Sequence, residues 1–178
     1  MTDIIEQARS ILITTPGRFL AMAESLPIHL LAYQPKPGEW SALECLMHLL
    51  EVEEKVFHVR IQAFLDGAAE FPAFDPNSVD EDEALTADVS PAVLAKKYAA
   101  AREANLKLLS KITPADLSKV SRHSKLGQVT LGEMINHWAG HDLNHLVQAE
   151  RALMQPFIAG CGPWKPYFAD HEVGSASE

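Results

Sequence analysis

His137, His141 and His145 stand at four-residue intervals near the C-terminal end of the chain. Residues four apart lie one above another on an α-helix, about 6 Å apart along the axis and offset by about 40°. Each imidazole can reach a metal at roughly 2.0–2.1 Å, so either neighbouring pair is a ready two-point chelate. Spacing alone does not choose between His137/His141 and His141/His145. A metal in a bundle core needs a further ligand from a facing helix. His48, embedded in Leu46-Met47-His48-Leu49-Leu50, is placed to face inward. A buried imidazole without a partner is costly. A metal would supply that partner, and so would a backbone carbonyl or a carboxylate. His29, His58, His123 and His171 have no comparable company, and His58 reads as a surface residue.

These side chains need long helices to carry them. Ile4, Ile5, Ala8, Ile11 and Leu12 recur at helical spacing. Thr15-Pro16 then reads either as the cap of a second helix running to about Leu26 or as a kink within one longer helix. Residues 33–39, with two prolines and a glycine, form a turn-rich connection. Ser41 and Glu44 have the spacing of a capping box, starting a helix that runs to about Leu65 and stops at Gly67. Gly67 to Asp88, with Pro72, Pro76 and the acidic run Asp80 to Glu83, reads as a solvated loop. Ser90-Pro91 caps a third helix ending near Ile112, and Thr113-Pro114 starts a short helical turn. Ser121 to Gln128 reads as a polar connection. Thr130 and Glu133 repeat the capping-box spacing ahead of a last helix, which should reach about Met154. Residues 155–178 form a tail whose Phe157, Trp164, Tyr167 and Phe168 are expected to pack on the bundle. Four amphipathic segments with little alternating β pattern predict an all-α helical bundle whose topology stays open.

The 178 residues fit one domain, with a core over about 4–154, and are enough to bury a hydrophobic core without staples. Cys45 and Cys161 form no CxxC pair, and Cys45 reads as a small core residue. A net charge of -9 disfavours nucleic acid and anionic lipid surfaces as partners. No apolar run approaches the roughly 20 residues of a membrane span. The N-terminus lacks a basic region leading into an apolar stretch, so the expected location is the cytoplasm.

Trp40-Ser41 at a helix start, His48 within that helix, and His141-x-x-x-His145-x-x-Gln148 downstream together resemble the DinB-like (DinB/YfiT) superfamily. The resemblance covers roughly Ile4 to Met154. It implies a four-helix bundle and a divalent metal on His48, His141 and His145, with Gln148 matching the glutamine that follows the pair. Many members carry arginine and glycine before that glutamine. Leu146 and Val147 stand there in this chain, so no substrate role of that arginine carries over. Some relatives look like transferases or isomerases that use a low-molecular-weight thiol such as bacillithiol or mycothiol, while others have no assigned activity.

Three histidines leave a coordination position open, as in catalytic rather than structural zinc sites. The expectation is one divalent ion, zinc or nickel, in a metal-dependent enzyme: a hydrolase or a thiol S-transferase acting on a small molecule. A homodimer is compatible with this reading. The alternatives are a non-catalytic metal-binding module and an interaction bundle with structural histidines. His137 reads as a hydrogen-bonded helix histidine. Glu51, one turn beyond His48, is the candidate base, although a solvated or salt-bridged role is its ordinary expectation.

Overall fold

The structure, a computed structural model, describes residues 3–71 and 90–173. Its helices are α1 (Ile4–Ser25), α2 (Ile28–Leu31), α3 (Ala42–Val52), α4 (His58–Leu65), α5 (Pro91–Leu109) and α6 (Leu131–Gly160). A π-helical turn, Glu53–Phe57, joins α3 to α4, so the two act as one long bent helix. The four long elements form an all-α four-helix bundle. α1 and the α3–α4 helix each pack mainly on α5 and α6, which places α1 diagonal to α3–α4 and α5 diagonal to α6, with α3–α4 beside α5. Each of the two diagonal steps, from α1 to α3 and from α5 to α6, needs a long connection. The proline-rich turn at 33–39 and the segment between α5 and α6 supply them. Pro72, Pro76 and the acidic run Asp80 to Glu83, expected in a solvated loop, lie outside the described residues.

Local signals set most helix ends. Ser41 and Glu44 form the expected capping box, with Glu44 N donating to Ser41 Oγ at 3.2 Å. Thr130 and Glu133 repeat it at the start of α6. Ser90 Oγ accepts from Val93 N, with Pro91 opening α5. Gly67, at φ 70°, ends the second helix because a left-handed residue is nearly free of strain only without a Cβ.

Three expectations need correction. Ser121 to Gln128 is not an irregular connection: Val120–His123 (β1) and Gly127–Thr130 (β2) form an antiparallel hairpin, with Ser121 opposite Val129. Its outer edge bonds to the residues that follow α4, through Phe71 N to Arg122 O at 3.0 Å and Arg122 N to Ala69 O at 2.9 Å. The last helix passes Met154 and Pro156 and ends at Gly160, followed by a 3-10 segment, Gly162–His171. Three of the four tail aromatics do not pack inward, since Phe157, Trp164 and Tyr167 are 66%, 65% and 84% exposed, while Phe168 is half-buried. The tail is tied instead by Gln155, which donates to His171 O and accepts from Val173 N.

Thr15-Pro16 does not start a helix; α1 runs through it. Proline lacks the N–H that Leu12 O would accept. Arg102 Nη1 donates to that carbonyl instead, at 2.9 Å. This bond belongs to a buried polar layer that cuts the core in two. Below it lie Leu12, Phe57, Ile61, Ile135 and Trp138; above it lie Phe19, Leu49, Tyr98, Leu146 and Ala149. Between them Arg102 bridges Glu53 (Nε to Oε1, 2.7 Å) and Asp142 (Nη1 to Oδ2, 2.6 Å), both carboxylates fully buried. Trp138 Nε1 donates to Glu53 Oε2 at 3.1 Å, and Asn105 Nδ2 donates to Glu53 Oε1 at 2.9 Å. Burial opposes the Arg102 charge, but Asp142 and Glu53 outweigh it and hold the guanidinium protonated. The wide π turn begins at Glu53, which delivers this carboxylate inward and Phe57 toward α6.

Candidate metal centre

His48 rides on α3, half-buried, one turn before the polar layer. The layer also fixes the facing segment of α6, because Asp142 is anchored by Arg102 and its neighbours His141 and His145 are carried with it. The structure brings His48, His141 and His145 together, with one ligand atom from each within 4.8 Å of the others. His141 Nε2 lies 3.3 Å from His48 Nε2 and 3.2 Å from His145 Nε2. Two ligands of a tetrahedral ion bound at about 2.0–2.1 Å stand about 3.3 Å apart, so this spacing suits such an ion.

Hydrogen bonding among the rings does not account for the cluster equally well. His145 donates Nδ1–H to Gln148 Oε1 at 2.9 Å. That bond fixes the tautomer of the neutral ring, so His145 Nε2 presents a lone pair. His141 Nε2 faces two nitrogens and has at most one proton to offer. His141 Nδ1 is buried with no partner among the described residues. The His141 ring is therefore held by packing against Phe57 and His137, at centroid distances of 5.5 and 5.7 Å. Trp40 closes the other side, stacked on His145 at 5.5 Å and edge-on to His48 at 4.9 Å.

All three rings are poised neutral. Burial, then the neighbouring His145, pushes His48 down to about 4. Burial, then His145 and His48, pushes His141 down to about 3. Burial also lowers His145, against the opposing pulls of Gln148 and Asp142. Neutral imidazoles are what a cation requires. A pH dependence follows for the metal-free chain. Between the unfolded value, about 6.5, and the lowered folded values, the unfolded state binds more protons, so stability falls as pH falls. Lowering the pH from 7.5 to 5 should remove about 2–4 kcal/mol in all, discounted for partial exposure. Urea unfolding at the two pH values measures this, and an unchanged midpoint would count against neutral, buried rings.

The remaining sequence candidates separate clearly. His137 is adjacent to the cluster but outside it, its pKa lowered by burial and then by Arg60 and His123. Glu51 pairs with Lys55 at 4.0 Å, in the salt-bridged role expected of it. Cys45 is fully buried, and burial followed by Glu44 pushes its thiol up to about 12, so it is a core residue. His58 is exposed, as expected, and its Nδ1 lies 2.7 Å from Asn105 Oδ1. Sequence reasoning missed Glu53 and Arg102 altogether. A cleft of about 270 Å³ abuts the centre, lined by Trp40, Asn144, Gln148 and Arg151 among others. It meets the centre through Trp40 and Gln148 rather than through the imidazole nitrogens.

No helix among the described residues is long and apolar enough to cross a membrane. A search of curated proteins finds no match. Among solved structures, the chain is similar to YfiT from Bacillus subtilis, with a TM-score of 0.69 and 16% identity over 86% of this chain and 87% of that one. That protein is described as a probable metal-dependent hydrolase with an unusual four-helix bundle topology. At this identity the likeness speaks for the fold. Residues 11–149 match the family model of the DinB superfamily, and the chain therefore belongs to that superfamily.

Proposed function

We propose that His48, His141 and His145 hold one divalent ion, zinc or nickel, and that the protein is a metal-dependent enzyme acting on a small molecule. The observation that carries this reading is the convergence of three neutral imidazoles, with the Nε2 atoms of His48 and His145 at 3.3 and 3.2 Å from His141 Nε2. The description of YfiT as a probable metal-dependent hydrolase supports the same class of activity. When bound, a divalent ion with a free coordination position acts as a Lewis acid and lowers the pKa of a water or thiol that joins it.

The residues around the centre favour thiol chemistry over hydrolysis by a general base. Hydrolysis commonly enlists a carboxylate within reach of the attacking water. Glu53 and Asp142 are committed to Arg102, and Glu51 to Lys55. A thiol needs no such base, because coordination alone deprotonates it near neutral pH, and a soft thiolate suits zinc and nickel. Around the ion, His145 is oriented by Gln148, and Trp40 shields two of the three rings from water.

Cobalt substitution tests this. A tetrahedral cobalt site absorbs in the visible, and adding a small thiol should shift and intensify the bands. An unchanged spectrum would reject thiol access to the centre and leave the non-catalytic metal-binding reading.

A further inference from the structure

Arg60 and His123 lie outside the three-histidine cluster, and neither is used by it. Arg60 sits on α4, one turn beyond Phe57, the ring that contacts both His137 and His141. His123 ends β1 of the hairpin. Arg60 Nη2 approaches His123 Nε2 to 3.2 Å. The hairpin turn decides what that contact is. His123 Nδ1 accepts backbone N–H groups from Lys125 at 3.1 Å and Leu126 at 3.3 Å. Its lone pair is thereby used, so in the neutral ring the proton sits on Nε2. A protonated ring would carry a proton on Nε2 as well. Arg60 Nη2 is always a donor. Two donors therefore face each other at hydrogen-bond distance with no acceptor between them.

Arg60 is half-buried, with its guanidinium 5.5 Å from the centroid of the Phe71 ring. Among the described residues no carboxylate pairs with it, although the protein has 24 acidic residues. A half-buried guanidinium is normally matched by an anion, because charge-assisted hydrogen bonds recover what desolvation costs. Here an aromatic face and an imidazole N–H surround it instead. His137, one helical turn from His141, feels the charge of both Arg60 and His123. The pair thus borders the Phe57–His137 side of the metal centre, away from Trp40 and the cleft.

We infer that Arg60 and His123 form a binding site for a small oxyanion, a carboxylate or phosphate group, whose oxygens accept from Arg60 Nη2 and His123 Nε2. Its use as the anchor for the anionic end of a substrate rests on the metal-centre reading. Its ability to bind an oxyanion does not. A substrate bearing such a group would be held through its anionic end by Arg60 and His123.

The test uses metal-free protein, so that a wrong assignment of the metal centre leaves it intact. Imidazole nitrogen–proton correlation spectra are recorded while inorganic phosphate, acetate or chloride is added. Without anion, His123 should show the tautomer protonated at Nε2. Phosphate or acetate should then shift the His123 signals saturably. The stronger of the two identifies the oxyanion class. Arg60→Gln should weaken the response about tenfold or more, the loss of one charge-assisted hydrogen bond. Arg60→Lys should retain part of it. Helical dichroism and the melting temperature of each variant confirm that it is folded. A His123 ring protonated at Nδ1 would overturn the proposal. So would an equal response to chloride, an unshifted wild-type spectrum, or an unchanged response in Arg60→Gln.

Discussion

Arg102→Leu is expected to lower the free energy of unfolding by about 3–5 kcal/mol, which for a chain of this size is a fall in Tm of roughly 6–20 °C. The size of the effect comes from what remains behind. Glu53 and Asp142 are both fully buried, and each receives its shortest hydrogen bond from this guanidinium. Without it, two carboxylates lie uncompensated in the core, and Leu12 O loses the donor that replaces the missing N–H of Pro16. An acceptor buried without a partner adds its own penalty. The layer as a whole is a different matter from its broken half. A buried ion cluster exchanged entirely for well-packed apolar residues is often neutral. The triple variant Arg102→Met, Glu53→Leu, Asp142→Leu should therefore recover a large part of the stability that the single variant loses. Urea unfolding followed by dichroism measures both. A single variant within about 1 kcal/mol of the parent would show that the fold does not depend on the layer.

That layer was invisible from the sequence for a physical reason. Glu53, Arg102 and Asp142 sit on three helices, and nothing local distinguishes them from residues of solvated faces. Thr15-Pro16 was ambiguous for the same reason: proline starts helices readily, and only a donor at residue 102 makes it tolerable in mid-helix. What could be read was what short range decides. Ser41 with Glu44, Ser90 with Pro91 and Thr130 with Glu133 all cap helices where their spacing places them. The hairpin escaped notice because its two four-residue strands are mostly polar, and one edge pairs with Ala69 to Phe71, some fifty residues earlier. The tail aromatics misled in the opposite sense. Aromatic side chains usually mark packing, but here three of them stand in solvent. The three clustered histidines were legible because helical periodicity narrows the last-helix partners to two pairs. Family resemblance then separated His145 from His137, and the structure places His145 with His48 and His141.

Replacing His141 with alanine should abolish stoichiometric metal binding, a loss of more than about 100-fold in affinity, since even outer partners of metal ligands are worth 10–100-fold. His141 is the central member of the set: its Nε2 is the atom that both His48 and His145 approach. Without it, the two remaining rings offer an incomplete grip. His137→Ala should leave affinity nearly unchanged, because that ring touches His141 without joining the nitrogen cluster. Gln148→Ala should fall between them, at about 10–100-fold, because it frees His145 to adopt the tautomer that turns a proton toward the ion. Metal content after dialysis and competition with a chromophoric chelator read all three. The His141→Ala protein should still fold, since the two apolar cores and the Arg102 layer do not depend on the ion. It should melt near the temperature of the metal-free parent, while metal raises only the parent by mass action. Retention of one ion per chain by His141→Ala would remove the assignment. Equal losses in His141→Ala and His137→Ala would move the site one turn along α6, onto the other histidine pair.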